Sequence, residues 1–180
     1  MEKYNPLLKL ARQTLEAHFK GEEVEVTEDI KKKYAEEQAC FVTLTKNGEL
    51  RGCVGSLYPR QELWKDIVEN AINAAFNDNR FPELTSEELK KVKIEVSVLS
   101  IPKKINFASP GELKKKITGK GVIIKKGFAS ATYLPQVWEE IKEQEEFLSS
   151  LCTKAGISSC TWKDPGLEVW VYGVKKIKEN

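Results

Sequence analysis

Within six residues, the segment Leu50-Arg51-Gly52-Cys53-Val54-Gly55 brings together a guanidinium, a thiol and two glycines. A thiol beside a fixed cation is held toward the thiolate, the form that attacks acyl or alkyl carbon. Cys53 is therefore the catalytic candidate if the chain is a cysteine-dependent group-transfer enzyme. Arg51 supports a different chemistry, because its planar fork of donors matches a carboxylate or phosphate group bidentately. In that reading the chain binds a small ligand or a peptide, and Gly52 and Gly55 let it approach the strand; glycine inside a strand marks a bulge or a close approach to the backbone. A packed helix accounts equally well for both glycines. The third reading makes Cys53 a small buried hydrophobe and Arg51 one half of a structural ion pair. No Cys–His pairing is apparent, and without a general base the pattern leaves open whether the chain is an enzyme. Asp78 and Arg80, after a helix, would orient a substrate or pair with Arg51, and Gln136 near a helix start would add a hydrogen bond.

Other chemistries are poorly supplied. The chain has one histidine, His18, and four cysteines, Cys40, Cys53, Cys152 and Cys160, none of them in C-x-x-C spacing. A protein-only transition-metal site is not expected, and no cofactor is called for. With 29 basic against 27 acidic residues the formal charge is +2, so no strong field steers a polyanion. Lysine clusters such as Lys31 to Lys33 and Lys114 to Lys116 are scattered among glutamates, which makes a nucleic-acid-associated role a minor reading. No run approaches the ~20 apolar residues of a membrane span, and Met1-Glu2-Lys3-Tyr4-Asn5-Pro6 lacks the order of an export signal. The expectation is a cytoplasmic protein with reduced thiols and no membrane contact.

Elements must hold these residues in place. The chain is 180 residues long, 41% hydrophobic and 31% charged, which suits one folded domain with a charged skin. Residues 6–20 carry a helical apolar stripe ended by Gly21, and Thr27 opens a second short helix. Asn47-Gly48 between two β-rich runs predicts a two-residue hairpin turn. A regular register from that turn pairs Leu44 with Arg51, Thr43 with Gly52 and Val42 with Cys53, placing Arg51, Cys53 and Gly55 on one side and Leu50, Val54 and Phe41 on the other. A strong helix covers residues 61–76, a capping box sits at Thr85-x-x-Glu88, and 92–100 alternates as a half-buried strand. Ser109-Pro110-Gly111-Glu112 begins a second lobe, followed by a hairpin near Gly127, helices after Pro135 and around Phe147 to Cys152, and a last strand over 167–174.

These motifs resemble the AMMECR domain family, known in prokaryotes as protein A of the AmmeMemoRadiSam set. The family's six-residue hallmark appears here as Leu50 to Gly55, with Val54 in place of isoleucine. Ala74-Ala75-Phe76 with Asp78 and Arg80-Phe81, the strand Glu95 to Ser100, and Leu134-Pro135-Gln136-Val137-Trp138 follow in the family's order. The resemblance implies an α+β fold of two lobes, each an antiparallel sheet flanked by helices, with an interlobe cleft faced by the hallmark strand. The larger lobe would be 1–102 plus 167–180 and the smaller 103–166. It further implies work beside MEMO-like and radical SAM proteins, with no established activity of its own.

Overall fold

A computed structural model describes residues 6–180; the N-terminal run read for an export signal lies outside the described residues except for Pro6. The chain divides into two units, one running to Ile101 and rejoined by Lys175–Asn180, the other Pro102–Val174. Each holds one four-stranded antiparallel sheet among the described residues, which makes the fold α+β. No helix among them is long and apolar enough to cross a membrane.

In the first unit the sheet order is β2 (Glu49–Gly55), β1 (Cys40–Lys46), β3 (Val92–Leu99), β8 (Val174–Lys178), so β2 is an edge strand. The turn between β1 and β2 forms as its residues dictate: Asn47 and Gly48 take φ of 55° and 85°, the left-handed geometry that this hairpin turn requires of both. Helices α1 (Pro6–Lys20) and α3 (Leu63–Phe76) lie on one face of the sheet. Their apolar stripes, Leu7, Leu8, Leu10, Ala11 and Leu15 against Ile67, Ala71, Ala74 and Ala75, close over Val42, Leu44, Ile94 and Val96 to make the core. Two short helices complete the unit, α2 (Glu28–Lys33) and α4 (Ser86–Leu89), the latter opened by a full capping box between Thr85 and Glu88.

The second unit orders its sheet β4 (Lys103–Ile105), β7 (Glu168–Tyr172), β5 (Gly121–Lys126), β6 (Ala129–Tyr133). Helices α5 (Pro110–Ile117) and α7 (Gln144–Lys154) bury Leu113, Ile117, Phe147, Leu148 and Leu151 against Val122, Ile124 and Val169. Trp138, on the short α6 (Val137–Glu140), stacks flat on Phe147 at 3.9 Å.

One boundary differs from the sequence expectation, which kept 167–180 in the larger lobe. Glu168–Tyr172 pairs with β4 and β5 and is the second strand of the smaller unit's sheet. The apolar run is in fact two strands with Gly173 between them, and only the second, β8, joins the first sheet. Alternation marks both as strands, but it carries nothing about which sheet each joins.

Candidate functional site

The hallmark segment forms β2, and its pairing contains an irregularity that a regular register misses. Thr45 pairs with Leu50, but Leu44 pairs with Gly52, Thr43 with Cys53 and Val42 with Val54. Arg51 is the extra residue of a β-bulge, so it and Gly52 together oppose Leu44. The expected sharing of one side by Arg51 and Cys53 is thereby corrected. An inserted residue reverses the alternation beyond it, so the two side chains project to opposite faces.

Arg51 turns to the helix-bearing face. Its Nε and Nη2 donate to the Glu88 carboxylate at 3.3 and 3.0 Å, Nη2 also reaches the Glu83 carbonyl oxygen at 3.2 Å, and Phe81 lies 6.0 Å below the guanidinium carbon. Glu88 takes Lys46 Nζ at 2.7 Å as well, and Lys46 has the strand parity of the core residues Val42 and Leu44. Arg51 is only 8% exposed, and its Nη1 is buried without a hydrogen-bond partner among the described residues. Its guanidinium therefore belongs to a largely buried ion pair and is not presented to a ligand. The pairing with Glu88 also replaces the expected pairing with Asp78. Held first by Arg51 and then by Lys46, the Glu88 carboxyl falls from about 4.5 to about 2.

Cys53 occupies the other face. Its Sγ lies 3.2 Å from Thr43 Oγ1. Thr43 pairs in turn with Glu95, both half-buried, and Phe41 with Ser97, which is buried, all on the face away from α1 and α3. Ser97 Oγ donates to the Glu95 carboxylate at 3.3 Å. Thr43 and Glu95 were not singled out by sequence reasoning; a register with the bulge in place would have found them.

Asp78 and Arg80 close the open edge of β2. Cys53 N–H donates to Asp78 Oδ2 at 2.9 Å, and Arg80 Nη2 donates to the Cys53 carbonyl oxygen at 3.1 Å. Those two groups point outward because Cys53 and Thr43 form a non-hydrogen-bonded pair, and the Asp–Arg pair does what a further strand would do. Arg80 grips Asp78 through Nε at 2.9 Å and Nη2 at 2.7 Å, which holds the Asp78 carboxyl well below the usual range. Asp78 also raises the Arg80 guanidinium. The Arg80 side chain is still 53% exposed, which makes it the accessible cation beside Cys53.

The two glycines have packing explanations. A Cβ on Gly52 would lie 2.0 Å from the carbonyl oxygen of Ala74 in α3, and one on Gly55 would lie 2.3 Å from the Cys40 carbonyl oxygen. The space at Gly52 is taken by a helix, the alternative that the sequence left open beside a ligand. Gln136, in the second unit, makes no capping hydrogen bond with its side chain, and its Oε1 is buried without a partner among the described residues. The single histidine is engaged elsewhere: the His18 ring lies tilted by 36° against Phe76, at 4.3 Å, within the helical layer. Burial raises the Cys40 and Cys152 thiols, as expected of core residues. No cluster of three metal-ligating side chains occurs among the described residues.

Comparison with known proteins gives a consistent match. A family model described as AMMECR1 matches residues 8–177. Protein NEQ441 of Nanoarchaeum equitans is 44% identical over 178 residues, which cover 97% of this chain and 99% of that protein. A protein of Methanosarcina acetivorans is 40% identical over 180 residues, covering 96% and 89% of the two chains. The crystal structure of the uncharacterized protein PH0010 from Pyrococcus horikoshii superposes with a TM-score of 0.81 at 35% identity, covering 98% of this chain and 91% of that one.

Proposed function

This chain belongs to the AMMECR1 family, and we propose that it is a binding protein, taking a ligand or a partner protein on the sheet face that carries the half-buried Cys53, Thr43 and Glu95. The observation that carries this reading is the separation of Arg51 from Cys53 by the bulge. With Arg51 committed to Glu88, the cation beside the thiol is Arg80, which is itself gripped by Asp78, and the hydrogen-bond partner of Sγ is a hydroxyl, not a general base. What the face offers is mixed donors and acceptors with accessible cations at its rim, Arg80 beside Cys53 and Lys93 opposite Thr45; that composition suits polar recognition better than covalent transfer. Arg80 thus takes the recognition role that the sequence reading gave to Arg51. Cysteine-dependent group transfer by Cys53 is the weaker reading.

The partners implied by the family resemblance, MEMO-like and radical SAM proteins, are the first to test. Tagged chain co-expressed with each is expected to retain its partner in Cys53→Ser, where a hydroxyl replaces the thiol beside Thr43. Thr43→Arg combined with Glu95→Lys should reduce recovery of the partner at least tenfold. Capture lost in Cys53→Ser but intact in the double variant would transfer the site to thiol chemistry. A native chain that captures neither protein ends the partner half of the reading.

A further inference from the structure

Between α1 and α2 the chain runs Glu22-Glu23-Val24-Glu25-Val26-Thr27 without joining either sheet. Glu23 and Glu25 are exposed while Val24 and Val26 are half-buried against the core, the period of two of an extended chain. Its backbone is unused. Hydrogen bonds stop at Glu22 N–H to the Ala17 carbonyl oxygen and resume at Lys31 N–H to that of Thr27, and none engages the backbone of Glu23 to Val26 among the described residues. Such a row of open donors and acceptors is the edge on which another strand can build.

Beside this strap, α3 presents Trp64, Val68 and Ile72, one stripe at i, i+4 and i+8. With Val24, Val26 and His18 they wall a groove of about 360 Å³. The strap itself is acidic: residues 22–29 contain five carboxylates and no lysine or arginine, while Lys31 and Lys65 lie over the Trp64 ring at 5.9 and 5.2 Å. Glu28 is paired with Lys31, which leaves Glu22, Glu23 and Glu25 along the strap.

We propose that this strap is a docking edge for an extended segment of a partner protein in which basic and apolar residues alternate. The segment adds to residues 23–26 as a β-strand, by main-chain hydrogen bonds. Its apolar side chains enter the groove over Trp64, Val68 and Ile72, and the lysines or arginines between them face Glu23 and Glu25. Charge decides the class of partner, since an acidic strand would set like charges opposite one another. The surface lies on the helical layer, so it is separate from the Cys53 face and its test is independent of that reading.

The experiment uses the full chain, 15N-labelled, titrated with the probe acetyl-Lys-Val-Lys-Val-Lys-amide. Saturable shifts are expected at residues 22–27 and the Trp64 indole, with slowed amide exchange within 23–26. Glu23→Lys with Glu25→Lys should weaken binding at least tenfold, while the spectrum of α1 and α3 stays in place to show that the fold survives. Acetyl-Glu-Val-Glu-Val-Glu-amide should then bind the double variant. A probe N-methylated at alternate residues keeps its charge and apolar groups but cannot donate along one edge, and it should fail to bind. Equal binding of the methylated probe, shifts confined to other residues, or no saturable shift each overturns the proposal.

Discussion

Gly52→Ala is expected to lower the unfolding free energy by about 3 kcal/mol or more, measured as a fall in the denaturant midpoint at unchanged slope. The added Cβ would sit 2.0 Å from the carbonyl oxygen of Ala74 and 3.1 Å from its carbonyl carbon. These are main-chain atoms of α3, so no side chain can swing aside; the strand or the helix must move. Movement of α3 would open the packing of Ile67, Ala71, Ala74 and Ala75 on Val42 and Leu44. Gly111→Ala in α5 is the matched control: its Cβ would meet nothing closer than Ser109 Oγ at 3.9 Å. Because alanine favours a helix over glycine by up to about 1 kcal/mol, that change should be neutral or stabilising. Were Gly52 instead kept small for a ligand, Gly52→Ala would leave stability within about 1 kcal/mol of the parent and abolish binding alone, the opposite pattern.

The second large effect belongs to the pair beneath the bulge. Glu88→Gln leaves Arg51 largely buried without its carboxylate and removes the partner of Lys46, so a loss of about 3 kcal/mol is expected. Arg51→Ala should be comparable, with Glu88 losing the cation that contacts both of its carboxylate oxygens. The pair also fixes a pH signature. The folded-state Glu88 carboxyl lies near 2, below its ordinary value near 4.5, so the folded state favours the ionised form. The contribution is complete above about 4.5 and is lost as pH falls toward about 2. Acid titration of stability should therefore fall less steeply for Glu88→Gln than for the parent across that window. Parallel curves would remove Glu88 from the account. Asp78, depressed chiefly by Arg80, adds in the same direction, and Asp78→Asn isolates its share.

Much of this architecture was legible because its causes are local. The Asn47-Gly48 turn, the Thr85 to Glu88 capping box and the Ser109-Pro110 helix start each depend on residues within a few positions of one another, and each forms as expected. The stripes of α1 and α3 likewise declare a core-facing side before any partner is known. The hallmark segment could be placed on a strand, whereas the approach of Asp78 and Arg80 to Cys53 was supplied by the fold.

The face each of those side chains occupies was not legible. The inserted residue in β2 is sustained by contacts far apart in the chain: Arg51 with Glu88 at a separation of 37 residues, and Gly52 against the backbone of Ala74. No local pattern encodes either contact, and a single inserted residue inverts every side beyond it. The same limit explains why β7 was assigned to the wrong sheet, since pairing is chosen by strands distant in sequence. Residue order alone thus determined the elements, the turn and the family hallmark, because those follow from backbone preferences and apolar spacing over one or two turns of chain. Only the tertiary structure decided that guanidinium and thiol face apart, because that depends on which helix the strand packs against and which carboxylate lies beneath it.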